Sequence, residues 1–206
     1  MKNELMKPCF ALFLLAALMI PVSAQDSWKI WTSAASTGSV DEADVNKIIL
    51  SGPGVLFNPA AGEGTATIRY NVVAVDGLFA NLTPTSWPAL IVRYRDNGSN
   101  ERVVVRLKEL ILAVGANPGG DFGGPGEGNI NTLITFDSND YPQIPAAQSQ
   151  SIGNCGQFPR FEFAGPNIAR VYYLEVEITK GTGGAPRLGG LAISRYGVCQ
   201  GSLTTR

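Results

Sequence analysis

The chain has 206 residues, with 16 Lys and Arg against 17 Asp and Glu, and no histidine. It is 45% hydrophobic and only 16% charged, a balance that supports a buried core and excludes a disordered chain. Without histidine there is no Ser-His-Asp triad, Cys-His pair or HExxH zinc site. A formal charge of −1 is no field for displacing counterions from nucleic acid.

Residues 1–24 read as a signal peptide. Lys2 and Lys7 supply a positive start, Phe10 to Ile20 run apolar for 11 residues, and Pro21 ends the run. Val22-Ser23-Ala24 offers small residues for cleavage before Gln25. The run is shorter than the roughly 20 residues a membrane-spanning helix needs, and no later segment reads as a transmembrane helix. The expected product, residues 25–206, is exported, extracellular or periplasmic, and of one-domain size. It keeps Cys155 and Cys199, which in an oxidising compartment are expected to pair. Such a bridge closes a long loop and contributes on the order of 4 kcal/mol in the chain-entropy view.

From there the pattern alternates with period two, the signature of half-buried strands. Thr65–Val75 places Ala66, Ile68, Tyr70, Val72 and Ala74 on one face. Ala89–Arg95 turns Leu90, Val92 and Tyr94 inward and Arg93 and Arg95 outward. Arg102–Leu112 turns Val103, Val105 and Leu107 inward, with Arg102, Arg106 and Lys108 outward. Tyr172–Lys180 repeats this with Tyr172, Leu174, Val176 and Ile178 inward and Glu175 and Glu177 outward. Shorter strands are expected at Lys47–Leu50, Gly54–Phe57, Thr132–Phe136, Arg160–Phe163 and Leu191–Ser194, and a helical turn near Asp41–Lys47. Gly/Pro-rich turns separate these runs, so the expected fold is all-β: a two-sheet antiparallel sandwich, jelly-roll-like, in a single domain.

Asp96-Asn97-Gly98-Ser99-Asn100 reads as a hairpin turn, because Asn-Gly tolerates the positive φ such turns need. That hairpin would pair Tyr94 with Val103 and Val92 with Val105, and set Arg95 beside Arg102. Arg93, Arg95, Arg102, Arg106 and Lys108 would then form one basic stripe, either an anion site gripping carboxylate or sulfate, or a salt-bridged face paired with Glu175, Glu177, Glu162, Asp96 or Glu101. Like charges directly opposed destabilise a sheet, so something must neutralise them.

Glu175 and Glu177 stand about 7 Å apart along a strand, within the spacing of about 6.5–9.5 Å that inverting glycosidases use. Exposed alternating acids also read as solvated or salt-bridged. Trp28, Trp31, Trp87, Tyr141 and Tyr173 are candidate stacking platforms for a sugar or else packing residues, with Trp87 and Tyr173 the preferred pair. Asp137, Asn139 and Asp140 cluster oxygen donors in a turn that reads as a weak Ca²⁺ site or an ordinary Asx turn. No other metal and no cofactor is expected. The glycine-rich Gly115–Gly128 lacks a Gly-Lys-Ser/Thr ending and reads as a connection rather than a phosphate loop. Asn81-Leu82-Thr83 and Asn97-Gly98-Ser99 match a glycosylation sequon.

The order Arg93-Tyr94-Arg95-Asp96-Asn97-Gly98, Arg102-Val103-Val104-Val105-Arg106-Leu107-Lys108-Glu109 and Thr135-Phe136-Asp137-Ser138-Asn139 resembles a group of exported proteins of environmental bacteria with no assigned activity. Ile68-Arg69-Tyr70-Asn71-Val72 and Phe161-Glu162-Phe163 fit the same likeness, which spans roughly residues 65–180. It implies a bacterial exported β-sandwich and carries over no site residues. The sequence-based expectation is a non-catalytic surface or extracellular binding module for a glycan or matrix polymer. Two alternatives stand beside it: a carboxylate-dependent polysaccharide-active enzyme using Glu175 with Glu177 or Glu162, and a structural component of the cell envelope.

Overall fold

Alternating side chains bury one face of a pleated strand, and the described residues form twelve strands in two sheets packed on this principle. The computed structural model describes residues 31–73, 89–96, 98, 100–113, 129–153, 164–165 and 168–194. In chain order the strands are β1 (Trp31–Ala34), β2 (Ser39–Val40), β3 (Ile48–Ser51), β4 (Gly54–Phe57), β5 (Gly64–Val72) and β6 (Ala89–Asp96). They continue with β7 (Arg102–Ala113), β8 (Asn129–Asp137), β9 (Ile144–Gly153), β10 (Ala164–Gly165), β11 (Ile168–Lys180) and β12 (Arg187–Ser194). The first sheet runs β3-β4-β12-β6-β9, with β1 also on β12; the second runs β2-β5-β11-β7-β8, with β10 on β11. Every pairing is antiparallel. The helical turn expected near Asp41–Lys47 is a short 3-10 segment, Glu42–Lys47.

The two inner faces meet in a core whose membership follows the alternation. Ala66, Ile68, Tyr70 and Val72 from β5, and Leu90, Val92 and Tyr94 from β6, are all buried. Val103, Val105 and Leu107 from β7 and Tyr172, Leu174, Val176 and Ile178 from β11 complete the expected set. Each fully buried Leu, Ile or Val contributes about 1.5–3 kcal/mol. Tyr70 spans the core with its hydroxyl donating to the Ala35 carbonyl oxygen at 2.6 Å, which satisfies the one polar atom it buries. Trp31 is also a core residue, opposite Ile193. Ala74, the 160–163 strand, residues 1–24, both cysteines and the Asn81 and Asn97 sequons lie outside the described residues.

The connection after β6 corrects the sequence reading. β6 pairs with β12 and β9, whereas β7 pairs with β11 and β8, so the chain crosses between sheets instead of forming a hairpin. A clasp of buried hydrogen bonds holds this arch. Ser138 Oγ donates to Asp96 Oδ2 and accepts from the Val103 N–H at 2.9 Å. Asp96 ends β6, Val103 is the second residue of β7, and Ser138 follows β8, so one hydroxyl joins three segments from both sheets. Burial raises the pKa of the Asp96 carboxyl.

Two further carboxylates are buried on β7 or just before it. Glu109 accepts from Tyr172 Oη at 3.0 Å and Asn131 Nδ2 at 3.1 Å, and Arg170 Nε lies 3.1 Å away. Glu101 is fully buried, packed against Gly98 and Gly183, and neither carboxylate oxygen has a hydrogen-bond partner among the described residues.

Ser138→Ala leaves a buried acceptor and a buried donor unmade, and is expected to cost about 1–3 kcal/mol in urea unfolding; an unchanged midpoint would remove the clasp from the list of fold determinants. Glu101→Gln replaces a buried carboxyl that has no hydrogen-bond partner among the described residues with a neutral group of the same shape, and is expected to raise the melting temperature by about 2–4 °C, the shift of roughly 1 kcal/mol at this size. A drop on calorimetry would contradict that reading of Glu101.

Candidate functional site

Because β6 and β7 belong to different sheets, the expected basic stripe is split between opposite faces of the sandwich. Arg102, Arg106 and Lys108 point out from the second sheet, and each meets an acid. Arg102 grips Asp137, its Nε 3.0 and 3.1 Å from the two carboxylate oxygens. Arg106 lies 2.6 Å from Glu177 and 3.7 Å from Glu175. Lys108 donates to Glu175 at 2.6 Å, and Arg69 Nε stands 3.6 Å from the same side chain. For these three residues the salt-bridged face is the outcome. Glu175 and Glu177, the carboxylate pair of the enzyme alternative, are the acids of this ladder. Val104 points outward yet is only 2% exposed, between Glu177 of β11 and Asp137 of β8.

The outer face of the first sheet is different. Arg95 directly opposes Arg187 across β6 and β12, and Arg93 opposes Gly190 on one side and Ser149 on the other. The expected like-charge opposition therefore exists, but with Arg187 rather than Arg102. Among the described residues no carboxylate lies within ion-pair distance of Arg93, Arg95 or Arg187; every other described Lys or Arg has one, except Lys180, which donates to carbonyl oxygens. Arg95 Nε is buried without a hydrogen-bond partner. The Arg187 guanidinium donates weakly to the Ser51 carbonyl oxygen at 3.4 Å.

These arginines surround a hollow of about 360 Å³ that Pro53, Gly54, Pro145 and Ala147 also line. A second hollow of about 360 Å³ shares Arg93 and Gly189 with it and continues over Thr32, Ile91, Ser149, Gly190 and Ala192. Together they make a trough across the sheet. Its depth has two local causes. First, the floor carries small side chains where a half-exposed sheet often carries long ones. Second, β12 shifts register between Leu188 and Gly190, and such a bulge bends and twists the strand.

Two glycines seat the guanidinium stems. A side chain at Gly54 would come within 2.9 Å of Arg187 Nε, and one at Gly189 within 3.3 Å of Arg93 Cγ. Sequence reasoning missed Arg187, Gly189 and all of β9. The Gly181–Gly190 stretch reads as a loop, and Pro-Ala-Ala-Gln-Ser-Gln-Ser, residues 145–151, lacks the β-branched and aromatic residues that mark strands. The usable signal was Pro145, which a sheet tolerates at an edge, where β9 lies.

The remaining candidates do not gather at the trough. Tyr173 is half-buried on the second sheet, opposite Lys108 and Asn71, and so is remote from Arg93 and Arg95. Its preferred partner Trp87, like Trp28, Glu162, Cys155 and Cys199, lies outside the described residues. Trp31 packs in the core, and Tyr141 stacks on Phe136 with centroids 5.5 Å apart. The Asp137, Asn139 and Asp140 cluster is an Asx turn: Asp137 accepts from the Asn139 N–H at 3.1 Å and serves Arg102 with both oxygens. Among the described residues no three His, Cys, Asp or Glu side chains converge as a metal site.

No protein-family model and no curated protein matches the chain. Among solved structures it is similar to the Spr0440 glycoside hydrolase domain, Endo-D from Streptococcus pneumoniae R6, with TM-score 0.34 and 14% identity over 82% of this chain and 22% of that one. It is also similar to TmCBM61 in complex with β-1,4-galactotriose, with TM-score 0.36 and 12% identity over 82% of this chain and 89% of that one. The chain thus spans well under two thirds of the hydrolase chain, and neither likeness carries an argument about the site.

The hydrogen bond from Arg102 holds the Asp137 carboxyl below the usual carboxylate range. Its folded pKa is depressed, so its stabilisation is present above the unfolded value of about 3.9 and is lost as pH falls through the folded value. Arg102 is half-exposed, so Arg102→Ala should cost no more than about 1 kcal/mol at pH 7. The gap to the parent protein is expected to close as denaturation midpoints are followed from pH 5 down to pH 2; a gap independent of pH would mean that the ion pair does not set it.

Proposed function

We propose that the protein is an exported, non-catalytic binding module for a glycan or extracellular polymer, and that the trough on the first sheet is where the polymer lies. The observation that supports this most is the contrast between the two outer faces. One is closed by paired long side chains, and the other is open, hollow and floored by Gly190, Ala192, Thr32 and Ser149. A linear polymer needs a long shallow channel rather than a deep pocket, and two hollows sharing Arg93 and Gly189 supply one. Hydroxyl groups on the floor suit a ligand that is dense in hydroxyls, each such hydrogen bond adding net about 0.5–1.5 kcal/mol. Export is part of the proposal through the 1–24 leader, and a Cys155–Cys199 bridge goes with it.

Gly190 supplies the test. A side chain there meets only the Ser33 carbonyl oxygen, at an ordinary 3.5 Å, so Gly190→Leu fills the trough without crowding the core. In affinity electrophoresis through gels containing neutral or acidic polysaccharides, the parent protein is expected to be retarded by at least one polymer and Gly190→Leu by none. Retardation that survives the filled trough would place the binding surface elsewhere.

A further inference from the structure

We propose that the polymer is an acidic polysaccharide and that Arg93, Arg95 and Arg187 hold its carboxylate or sulfate groups. This rests on the trough reading and deepens it. Opposed like charges destabilise a sheet unless something neutralises them, and Arg95 faces Arg187 across adjacent strands. Arg93 adds a third cation on the same face of β6, about 7 Å along the strand. The chain does not neutralise them from its described residues, although it pairs Arg69, Arg102, Arg106 and Lys108 with acids on the other sheet.

The chemistry of the three heads selects the anion. A guanidinium presents parallel N–H groups to two oxygens at once, which matches carboxylate and sulfate, and it stays charged at any relevant pH. Their placement selects the class of molecule. The three arginines cluster at one hollow, while the adjoining hollow offers the Thr32 and Ser149 hydroxyls and no further Lys or Arg. A ligand with occasional anions along a hydroxyl-rich chain fits that order. Nucleic acid, with a charge at every phosphate, needs a broad basic field, and this chain carries a formal charge of −1. The seats at Gly54 and Gly189 keep the arginine stems low on the sheet, so the heads border the trough without filling it.

The decisive experiment is isothermal titration of the purified protein with polygalacturonate, dextran sulfate, neutral dextran, neutral galactan and duplex DNA at one ionic strength. At least one of the two acidic polysaccharides is expected to bind about tenfold or more tightly than either neutral polymer and than DNA, the scale of a charge-assisted contact. Uronate and sulfate arms tell which oxyanion the fork prefers. Arg95→Gln and Arg187→Gln should each weaken that binding by about tenfold or more, whereas Arg106→Gln on the opposite sheet leaves it unchanged. Far-ultraviolet circular dichroism and melting temperature report folding, and neither glutamine variant touches the core. Equal binding of neutral and acidic polymers, unaffected by these variants yet abolished by Gly190→Leu, would overturn the anion assignment and leave the trough. Binding that Gly190→Leu does not change would overturn the trough and this inference together. Tightest binding to DNA, or no binding to either acidic polysaccharide, would also overturn the inference.

Discussion

The crossing from Asp96 to Arg102 is the constraint on which the rest of the arrangement depends. A hairpin there would keep both strands in one sheet; the arch sends them to two. Ser138 makes the arch specific, because its hydroxyl accepts from the first amide of the β7 interior while donating to the last side chain of β6. In a water-excluded site such bonds are strong and their loss is costly, so a short polar relay can choose between two backbone routes that bury the same apolar residues. Tyr94 and Val103 are inward in either route; only their partners differ.

That choice sorts the charges. With β7 placed between β11 and β8, its outward cations face Glu175, Glu177 and Asp137, and the second sheet closes over itself. Placed between β12 and β9, the strand carrying Arg93 and Arg95 faces glycine, serine and another arginine. Individual surface ion pairs contribute little to stability. Their larger consequence here is steric: long side chains held flat occupy one face, and short ones leave the other hollow.

The buried acids show how the surroundings decide the fate of a buried carboxyl. Glu109 stands within β7 and Glu101 just before it, and both are withdrawn from water. Glu109 meets a phenol, an amide and a guanidinium supplied by β11 and β8, which stitches the second sheet together. Glu101 meets the bare backbone around Gly98 and Gly183, where the arch and the loop before β12 close over it. The alternation that placed Val103, Val105 and Leu107 in the core also carries Glu109 inward, a consequence that residue hydrophobicity alone conceals.

Much of the fold was legible in the sequence, because the period of a pleated strand is local and most inward residues are apolar or paired. Four long strands, their buried faces, the two-sheet class and the outward direction of all five basic side chains follow from that period alone. Strands built mostly from small or polar residues, β9 above all and β1 beyond Trp31, did not announce themselves, for the same reason that the trough they border is open: they carry little bulk on that face. Which sheet each strand joins, and hence which arginines find acids and which face one another, is set by contacts between residues far apart in the chain. The in–out pattern is identical for a hairpin and an arch, so only the tertiary structure could separate Arg95 from Arg102 and bring it to Arg187.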